Sequence, residues 1–366
     1  MSRTKTLAAV AALAAAPAAA EEFDLDALIE AARAEPPLVV YDNTSKIRTM
    51  AAAFAEKYGL EAEGVKVRTP QQVELVLREH EAGAIQGDVV HLADVPAGQL
   101  ELLPQGVLVS WTPPDLADHI PERFRDPLVL NFDAKVFVYN TEAEESCPID
   151  NIWALTEPEM QGRVALQDPL NNPGLVDFFN QLETQSDDAV AAAYESFYGE
   201  ALETEEDSAT AAWMAALAAN GPLLTESDQA VSDAVGAPGQ TEGLVGLVAT
   251  AKFRDNEGLG YKLGLCDAVA PVAGFAQPKL SLMSPETDSP NAAKLFIRYA
   301  MTPEGLAPQT IDGKMPVNTE AELPADEPSG VAAIEDDLLF FDAATAGEDF
   351  DARQDWQDLW RVTYTR

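Results

Sequence analysis

The chain has 366 residues, of which 47% are hydrophobic, and 62 acidic against 23 basic residues give a formal net charge of −39. That hydrophobic content can fill one or two substantial cores and argues against a disordered chain, and the length favours two domains. The charge argues against nucleic acid and anionic membrane surfaces as partners, because both require clustered Lys and Arg.

The N-terminus predicts an export signal at residues 1–20. MSRTK is a short basic region, a run of small apolar residues follows, and Ala-Ala-Ala before Glu21 fits a signal-peptidase site. The alternative is a first helix of the fold. The apolar run is too short for a good membrane span, and no Cys near the cleavage point could carry a lipid anchor. We expect a mature, soluble protein that starts near Glu21 and resides in the periplasm.

The next segments alternate between strands and helices. Strand patterns occur at 38–41, 64–69 and 87–92, and helix patterns at 45–59 and 70–83. In the first helix apolar residues recur at helical spacing and a glycine ends it. This order predicts an open parallel sheet with helices on both faces, a doubly wound α/β fold.

A similar pattern starts again after a strand at 134–141. Further strands are predicted at 162–169 and 242–250, separated by helices, and this indicates a second α/β lobe. An extended segment at 269–283 and a helix at 290–305 follow, and an acidic, aromatic tail is expected to form a helix packed on one lobe.

The two cysteines, Cys147 and Cys266, leave two possibilities open. An exported protein meets an oxidising environment, which permits a disulfide between them. Two isolated Cys residues do not fix a pairing, and two buried thiols are the alternative.

Known catalytic, metal and nucleotide motifs are missing from the sequence. It has three histidines and neither a G-x-S-x-G elbow nor a recognisable catalytic Cys, and it lacks H-E-x-x-H, C-x-x-C, EF-hand, P-loop and G-x-G-x-x-G patterns. His91 follows a strand and could face a cleft. We therefore expect neither catalysis nor a cofactor, and the metal-site hypothesis finds no support in the motifs.

A polar run between the first strand and the first long helix suggests an anion site. In doubly wound sheets ligands bind at the carboxyl ends of strands. The helix start carries Lys46 and Arg48 where acidic residues are usual, so its free amides could receive an anion, with hydroxyls from Thr44 and Ser45. The alternative is plain capping by Asn43, Thr44 or Ser45, with Lys46 paired to Asp42 on the surface.

Other candidate ligand residues follow the strands of the second lobe. Asp168, Asn171 and Asn172 follow one strand and could face the same cleft, and an ordinary Asx turn is the alternative. Ser227 and Asp228 lie in a capping-box pattern. The remaining candidates are Thr250 at a strand end and Tyr139 on the segment that joins the lobes.

Several stretches together resemble one protein family. They are LVVYDNTSKIRTMAAAFAEKYG, GDVVHLADV, VFVYNT, IWALTEPEMQGRVALQDP and SPNAAKLFIRYAMTPEG. They resemble the periplasmic solute-binding proteins of ABC importers, most of all the subgroup related to ferric-iron binders. The resemblance implies two lobes joined by crossing hinge strands, a solute bound between them by closure, and a membrane permease as partner. The expected boundaries are 21–138 plus 275–366 for lobe 1 and 139–274 for lobe 2.

Departures from this subgroup affect the expected ligand. Ferric binders commonly use an adjacent Tyr-Tyr pair and often a His in the first loop, whereas this chain has no adjacent tyrosines and reads Asn43-Thr44-Ser45 there. We therefore expect a monomeric binding protein for a small anionic organic solute, phosphorylated or phosphonate-like. A ferric-iron transport protein is the alternative, and an enzyme on a similar two-lobed frame is the third possibility.

Overall fold

The computed structural model describes residues 23–364, so the expected export signal lies outside the described residues. In this range the strands are β1 (Leu38–Asp42), β2 (Ala62–Lys66), β3 (Val89–Leu92), β4 (Val109–Ser110), β5 (Val129–Asn140), β6 (Val164–Gln167), β7 (Leu223–Thr225), β8 (Val245–Ala249), β9 (Leu263–Leu265), β10 (Gly274–Met283), β11 (Met315–Pro316) and β12 (Leu338–Phe340).

The helices of the described range alternate with these strands over most of the chain. They are α1 (Leu25–Ala32), α2 (Ile47–Tyr58), α3 (Thr69–Ala82), α4 (Val95–Ala97), α5 (Pro173–Tyr198), α6 (Ala209–Ala219), α7 (Asp228–Gly236), α8 (Asp255–Gly258), α9 (Pro290–Ala300), α10 (Pro303–Thr310) and α11 (Ala346–Thr363). Within residues 23–364, none of them combines the length and the apolar character that a membrane crossing requires.

The strands form a mixed sheet in the order β2-β1-β3-β10-β5-β8-β6-β7, with β4 and β12 on β10, and β9 and β11 on β5. β1 is parallel to β2 and β3, and β6 is parallel to β7 and β8. β5 and β10 are antiparallel to each other, β10 is antiparallel to β3 and β5 to β8, whereas β12 is parallel to β10. Two parallel half-sheets are thus joined through two long central strands.

β5 and β10 each run from one half of the molecule to the other. The Leu280–Met283 part of β10 pairs with β3, and its opposite end pairs with β12. β5 pairs with β11 near its start and with β8 over Lys135–Val138. This arrangement confirms the predicted α/β architecture of two lobes joined by crossing strands.

α2 shows how the sequence positions the edge of lobe 1. The apolar residues of its 3.6-residue repeat are buried and Phe54 is fully enclosed, where it packs against Phe296 and Tyr299 of α9. The helix ends at Gly59, whose φ of 68° is the left-handed conformation that glycine adopts without strain. The start of α2 is therefore held firmly where β1 ends.

The lobe boundaries stay a prediction, and the packing of the C-terminal helix bears on the end of the chain. The sequence placed 275–366 with lobe 1, and within this range α11 packs mainly against α5 and α6, the helices between β6 and β7 in the chain. The reason is an aromatic face, because Trp356 and Trp360 of α11 pack on Phe179 of α5. α11 also reaches α4, which belongs to the other half.

Cys147 and Cys266, which the sequence left open, are joined in a disulfide with an S–S distance of 2.00 Å. The bond links the segment after β5 to the end of β9, 119 positions apart in the sequence. It therefore closes a long loop inside lobe 2.

Candidate functional site

The carboxyl ends of the parallel strands face each other across β5 and β10, and contacts join the two lobes there. Arg68, after β2, donates from Nη2 to the carbonyl of Glu226, after β7, at 2.7 Å. Thr250, after β8, donates from Oγ1 to the carbonyl of Asp312 at 2.9 Å. Arg254 forms an ion pair with the Asp312 side chain. The two lobes therefore meet at a polar cleft.

The base of the cleft on the lobe 1 side is a buried carboxylate. Asp42 ends β1 and its side chain is 0% exposed. It accepts hydrogen bonds from Lys279 Nζ at 2.7 Å, Gln309 Nε2 at 3.2 Å and the Thr44 amide at 3.2 Å, and His91 Nδ1 lies 3.2 Å away. Burial opposes ionisation, but Lys279 and His91 outweigh it and hold the pKa of Asp42 well below its usual range.

Lys279 is the fully buried partner of Asp42. Its Nζ also donates to Asn43 Oδ1 at 2.8 Å, and Asn43 Nδ2 donates to Thr69 Oγ1 at 3.2 Å. Burial lowers the pKa of Lys279, with Asp42 opposing that shift. The loop after β1 is thus fixed by a charge-assisted bond to a hinge strand.

β5 brings a second set of charges to the cleft. Asp133 and Lys135 are two residues apart on this strand and therefore share a face. Asp133 forms an ion pair with Lys314, while its Oδ1 is buried and has no hydrogen-bond partner within residues 23–364. Burial raises the pKa of Asp133, but Lys314 and Lys279 outweigh it, so the net shift is downward and the carboxylate stays ionised.

Lys135 reaches into lobe 2. Its Nζ donates to Gln167 Oε1 at 2.8 Å and to Asp228 Oδ1 at 3.3 Å. Gln167 Oε1 also accepts from Asn172 Nδ2 at 2.8 Å. These bonds connect the middle of β5 to the carboxyl end of β6 and to the first residue of α7.

The charged residues whose contacts lie at this cleft form what we call the interlobe cluster: Lys46, Arg68, Lys135, Arg254, Lys279, Lys314, Asp42, Asp133, Asp228 and Asp312. Six of the chain's 23 basic residues belong to it, but only four of its 62 acidic residues do. A local excess of positive charge therefore lies between the lobes of a strongly negative protein.

Residues 49–337 match the sequence profile of a family described as bacterial extracellular solute-binding protein. The chain belongs to this family. By family it is therefore an extracellular solute-binding protein, and one protein of similar fold is the substrate binding protein of an ABC transporter from Agrobacterium tumefaciens. A search of curated protein sequences gives no match.

Solved structures share the fold of this solute-binding protein. Iron-bound HitA from Pseudomonas aeruginosa matches with a TM-score of 0.65 and 15% identity, over 89% of this chain and 99% of that one. AfuA from Actinobacillus pleuropneumoniae, a periplasmic binding protein with fructose-6-phosphate bound, gives 0.62 and 19% over 89% and 99%. The ferric binding protein from Campylobacter jejuni gives 0.63 and 13% over 90% and 100%. Such low identities show a shared fold alone.

Some predicted site residues of the solute-binding protein lie at the interlobe cluster. Asn43, Thr44 and Lys46 surround the start of α2, where no side chain caps the helix and no acidic residue occupies the first turn. Thr44 Oγ1 accepts from the Lys46 amide at 3.3 Å, and Lys46 Nζ lies 3.4 Å from Asp312 rather than at Asp42. Ser45 is exposed beside them.

Three predicted residues of lobe 2 also belong to this region. Asn172, Asp228 and Thr250 make the contacts described above with Gln167, Lys135 and Asp312. Ser227 instead caps α7, because its Oγ accepts from the Ala230 amide at 3.2 Å. Its role is therefore the helix capping that the sequence pattern also allowed.

Asp168 and Asn171 form a local turn. Asp168 accepts from the Leu170 amide at 3.0 Å and from Asn171 Nδ2 at 2.9 Å. This is the Asx-turn alternative, in which both side chains satisfy each other and the backbone.

His91 and Tyr139 do not line the cleft surface. His91 is fully buried below Asp42, so it supports the cleft from beneath and cannot touch a solute there. Tyr139 lies four residues beyond Lys135 on β5, about 13 Å along the strand, and its ring covers Gly264 of β9.

The sequence interpretation missed Arg68, Lys135, Lys279, Arg254 and Lys314. A usable signal was present for two of them. Lys135 and Lys279 each interrupt a strand whose other residues are mostly apolar, in NFDAKVFVYN and GFAQPKLSLM. A charge in such a strand must find a partner or a functional role, because burying it alone is costly.

A cavity of about 530 Å³ lies on the other face of the hinge strands. Its lining includes Phe132, Pro278 and Leu280, which alternate along β5 and β10 with the cluster residues, and Phe124 and Phe340 complete an aromatic wall. It is therefore separate from the interlobe cluster and is not the candidate site.

Proposed function

We propose that this solute-binding protein captures a small anionic organic solute, phosphorylated or phosphonate-like, between its lobes and delivers it to a cognate ABC permease. The observation that carries the proposal is the concentration of six cationic side chains in the interlobe cluster. Export by the predicted signal, a periplasmic location, a monomeric state and no role in nucleic-acid binding are parts of the same proposal.

The charges of the cluster leave room for an anion. Arg68 donates to a backbone carbonyl rather than to a carboxylate, so an anionic solute could bind it without displacing a counter-charge. Lys46 is 26% exposed at the uncapped start of α2, where helix amides and a cation act on the same site. Guanidinium groups and helix amides are both well suited to phosphate oxygens.

The net charge of −39 does not exclude such a ligand. At about 0.1 M salt, charges on the outer surface are screened beyond about 10 Å, whereas charges in a closing cleft act at contact distance. The fold itself can hold a sugar phosphate, as AfuA with fructose-6-phosphate shows for that protein.

Ferric iron is the competing solute, since HitA and the Campylobacter protein are iron binders of the same fold. Fe(III) prefers phenolate and carboxylate oxygens. No adjacent tyrosines occur in the sequence, and residues 23–364 bring together no group of three or more His, Cys, Asp or Glu side chains suited to a metal. The lysines of the cluster would also repel a cation, so the anionic solute is favoured.

Native mass spectrometry of the protein purified from its host tests the proposal. We expect a bound organic anion that dissociates when the protein is unfolded. A bound iron ion, or a neutral or cationic solute, would contradict the anionic assignment.

Calorimetric titration with that solute then tests the cluster. Lys135→Gln and Lys46→Gln should each weaken binding about tenfold or more, as expected for a lost hydrogen bond to a charged group. Arg78→Gln removes one charge on the exposed outer surface of α3 and should leave affinity unchanged. If all three variants bind the solute as tightly as the wild type does, the solute binds outside the interlobe cluster.

A further inference from the structure

The C-terminal helix is anchored to lobe 2 by buried contacts with α5. Asp349 is fully buried and accepts from Asn180 Nδ2 at 2.7 Å and Gln181 Nε2 at 2.6 Å. Trp356 Nε1 donates to Asn180 Oδ1 at 3.1 Å, and the Trp360 ring is stacked on Phe179 with centroids 6.0 Å apart. α11 must therefore move together with α5.

One turn after Asp349, a single side chain of α11 reaches both lobes. Arg353 donates from Nε and Nη2 to the two carboxylate oxygens of Asp177 on α5, each at 2.8 Å. The same guanidinium donates to Asp94 at 2.7 Å and 3.4 Å. Asp94 caps α4 directly after β3, in lobe 1. The guanidinium thus holds one carboxylate from each lobe.

This contact lies where a change in lobe orientation would affect it. Asp94 follows the carboxyl end of β3, and Asp177 lies in the first turns of α5, which begins after β6. Both strands end at the cleft. Charge-assisted hydrogen bonds require donor–acceptor distances of about 2.7–2.9 Å, so a rotation of the lobes about β5 and β10 would stretch and break one arm of the contact.

The burial of the three groups makes this contact costly to break. The side chains are 15% exposed for Arg353, 6% for Asp94 and 2% for Asp177. Surface ion pairs contribute little, but breaking a buried pair leaves an uncompensated charge and is costly. A separation of the lobes at this edge must hydrate these groups again.

We propose that Arg353 is an interlobe latch, whose simultaneous bonds to Asp94 and Asp177 favour the closed arrangement of the lobes before any solute binds. The inference rests on capture by lobe closure, as proposed above, but it does not depend on the charge of the solute. Arg353 touches no residue of the interlobe cluster in the contacts described here, so it acts as a positioning residue for closure.

Small-angle X-ray scattering of the solute-free full-length protein tests the latch. Solute is removed by unfolding in guanidinium with the disulfide intact, followed by refolding. We expect the wild-type curve to match the closed structure. Asp94→Asn should shift the protein toward a wider envelope, with the ratio of closed to open molecules falling about tenfold, because one charge-assisted contact is weakened. Asn still caps α4 well, so this variant should fold.

Asp115→Asn is the matched control. Asp115 accepts from Arg298 at 2.8 Å in a pair with an equally buried arginine, but both residues belong to the predicted lobe 1. Its scattering should coincide with that of the wild type. Arg353→Gln should reproduce the opening seen with Asp94→Asn.

Two results would overturn the latch. One is a wild-type protein that is already open without solute. The other is a set of Asp94→Asn and Arg353→Gln curves that superimpose on the wild type while both variants remain folded. Neither result bears on the anionic solute, since no solute is used, so the two proposals fail separately.

Discussion

Two buried ion clusters in this molecule shift the pKa of a carboxylate in opposite directions. At the base of the cleft, Asp42 and Lys279 are both fully buried, and the pKa of Asp42 lies well below its usual range. At the latch, burial raises the pKa of Asp177 to about 7, although Arg353 opposes the shift. Burial is nearly the same in both places, so the difference must lie in the partners.

The number of compensating groups per carboxylate accounts for the difference. Asp42 receives an ammonium, two further hydrogen bonds and a nearby imidazole. Asp177 shares one guanidinium with Asp94, and both Asp94 and Asp349 repel its negative charge. A buried carboxylate is therefore stable in its ionised form only where cations and donors outnumber competing carboxylates. We call the first cluster the fixed support, and we conclude that the second, the latch, compensates its buried carboxylates less completely.

Removing the cation of the fixed support should have the largest effect. Lys279→Met leaves Asp42 buried without its main counter-charge, and we expect the free energy of unfolding to fall by about 3–5 kcal/mol. Urea denaturation followed by circular dichroism measures this. Arg78→Met, at an exposed pair on α3, should change stability by at most about 0.5 kcal/mol. A loss below 1 kcal/mol for Lys279→Met would show that Asp42 finds other compensation.

The pH dependence of stability should distinguish the two carboxylates. The folded pKa of Asp42 is depressed, so its contribution is fully present above its unfolded pKa, near 4, and is lost as pH falls further. The folded pKa of Asp177 is raised to about 7, so its ionisation costs stability, and that cost disappears as pH falls from about 7 toward 4.

Asp177→Asn isolates the second effect. Between pH 7.5 and 4.5, wild-type stability should gain about 2–4 kcal/mol relative to this variant, because only the wild type takes up the proton. Urea denaturation at a series of pH values measures the difference. A difference that stays constant with pH would mean that Asp177 remains ionised in the fold.

Sequence reasoning reached the local parts of this structure and missed the long-range ones. The repeat and the terminal glycine predicted a helix at 45–59, and α2 spans Ile47–Tyr58. The same local patterns suggested an Asx turn at Asp168 and a capping box over residues 225–228, and the structure has the Asx turn and a cap from Ser227 within that box. Hydrophobic periodicity and capping depend on neighbours within one or two turns, so a single sequence shows them.

The ion clusters depend on pairings that no local pattern shows. Lys279 and Asp42 are 237 positions apart, and Arg353 is 176 and 259 positions from its two partners. A charge within an apolar strand indicates that a partner exists, but only the sheet order identifies it. In a chain with 62 acidic residues, the partner of Arg353 was not predictable from composition.

Removing the competing carboxylate should make the latch resemble the fixed support. In Asp94→Asn the repulsion on Asp177 falls and Arg353 no longer divides its charge between two carboxylates, so the pKa of Asp177 should move down from about 7. The measurement compares the stability of Asp94→Asn with that of the double variant Asp94→Asn/Asp177→Asn across pH. The midpoint of this difference should lie about one pH unit below the midpoint for the wild type against Asp177→Asn, the shift expected when one close like charge is removed. Stability at pH 7.5 should fall by only about 1–1.5 kcal/mol, because Asn continues to cap α4 but accepts a weaker, uncharged hydrogen bond from Arg353. An unchanged midpoint would show that burial alone sets the pKa of Asp177, and that the ratio of cations to carboxylates does not explain the contrast between the two clusters.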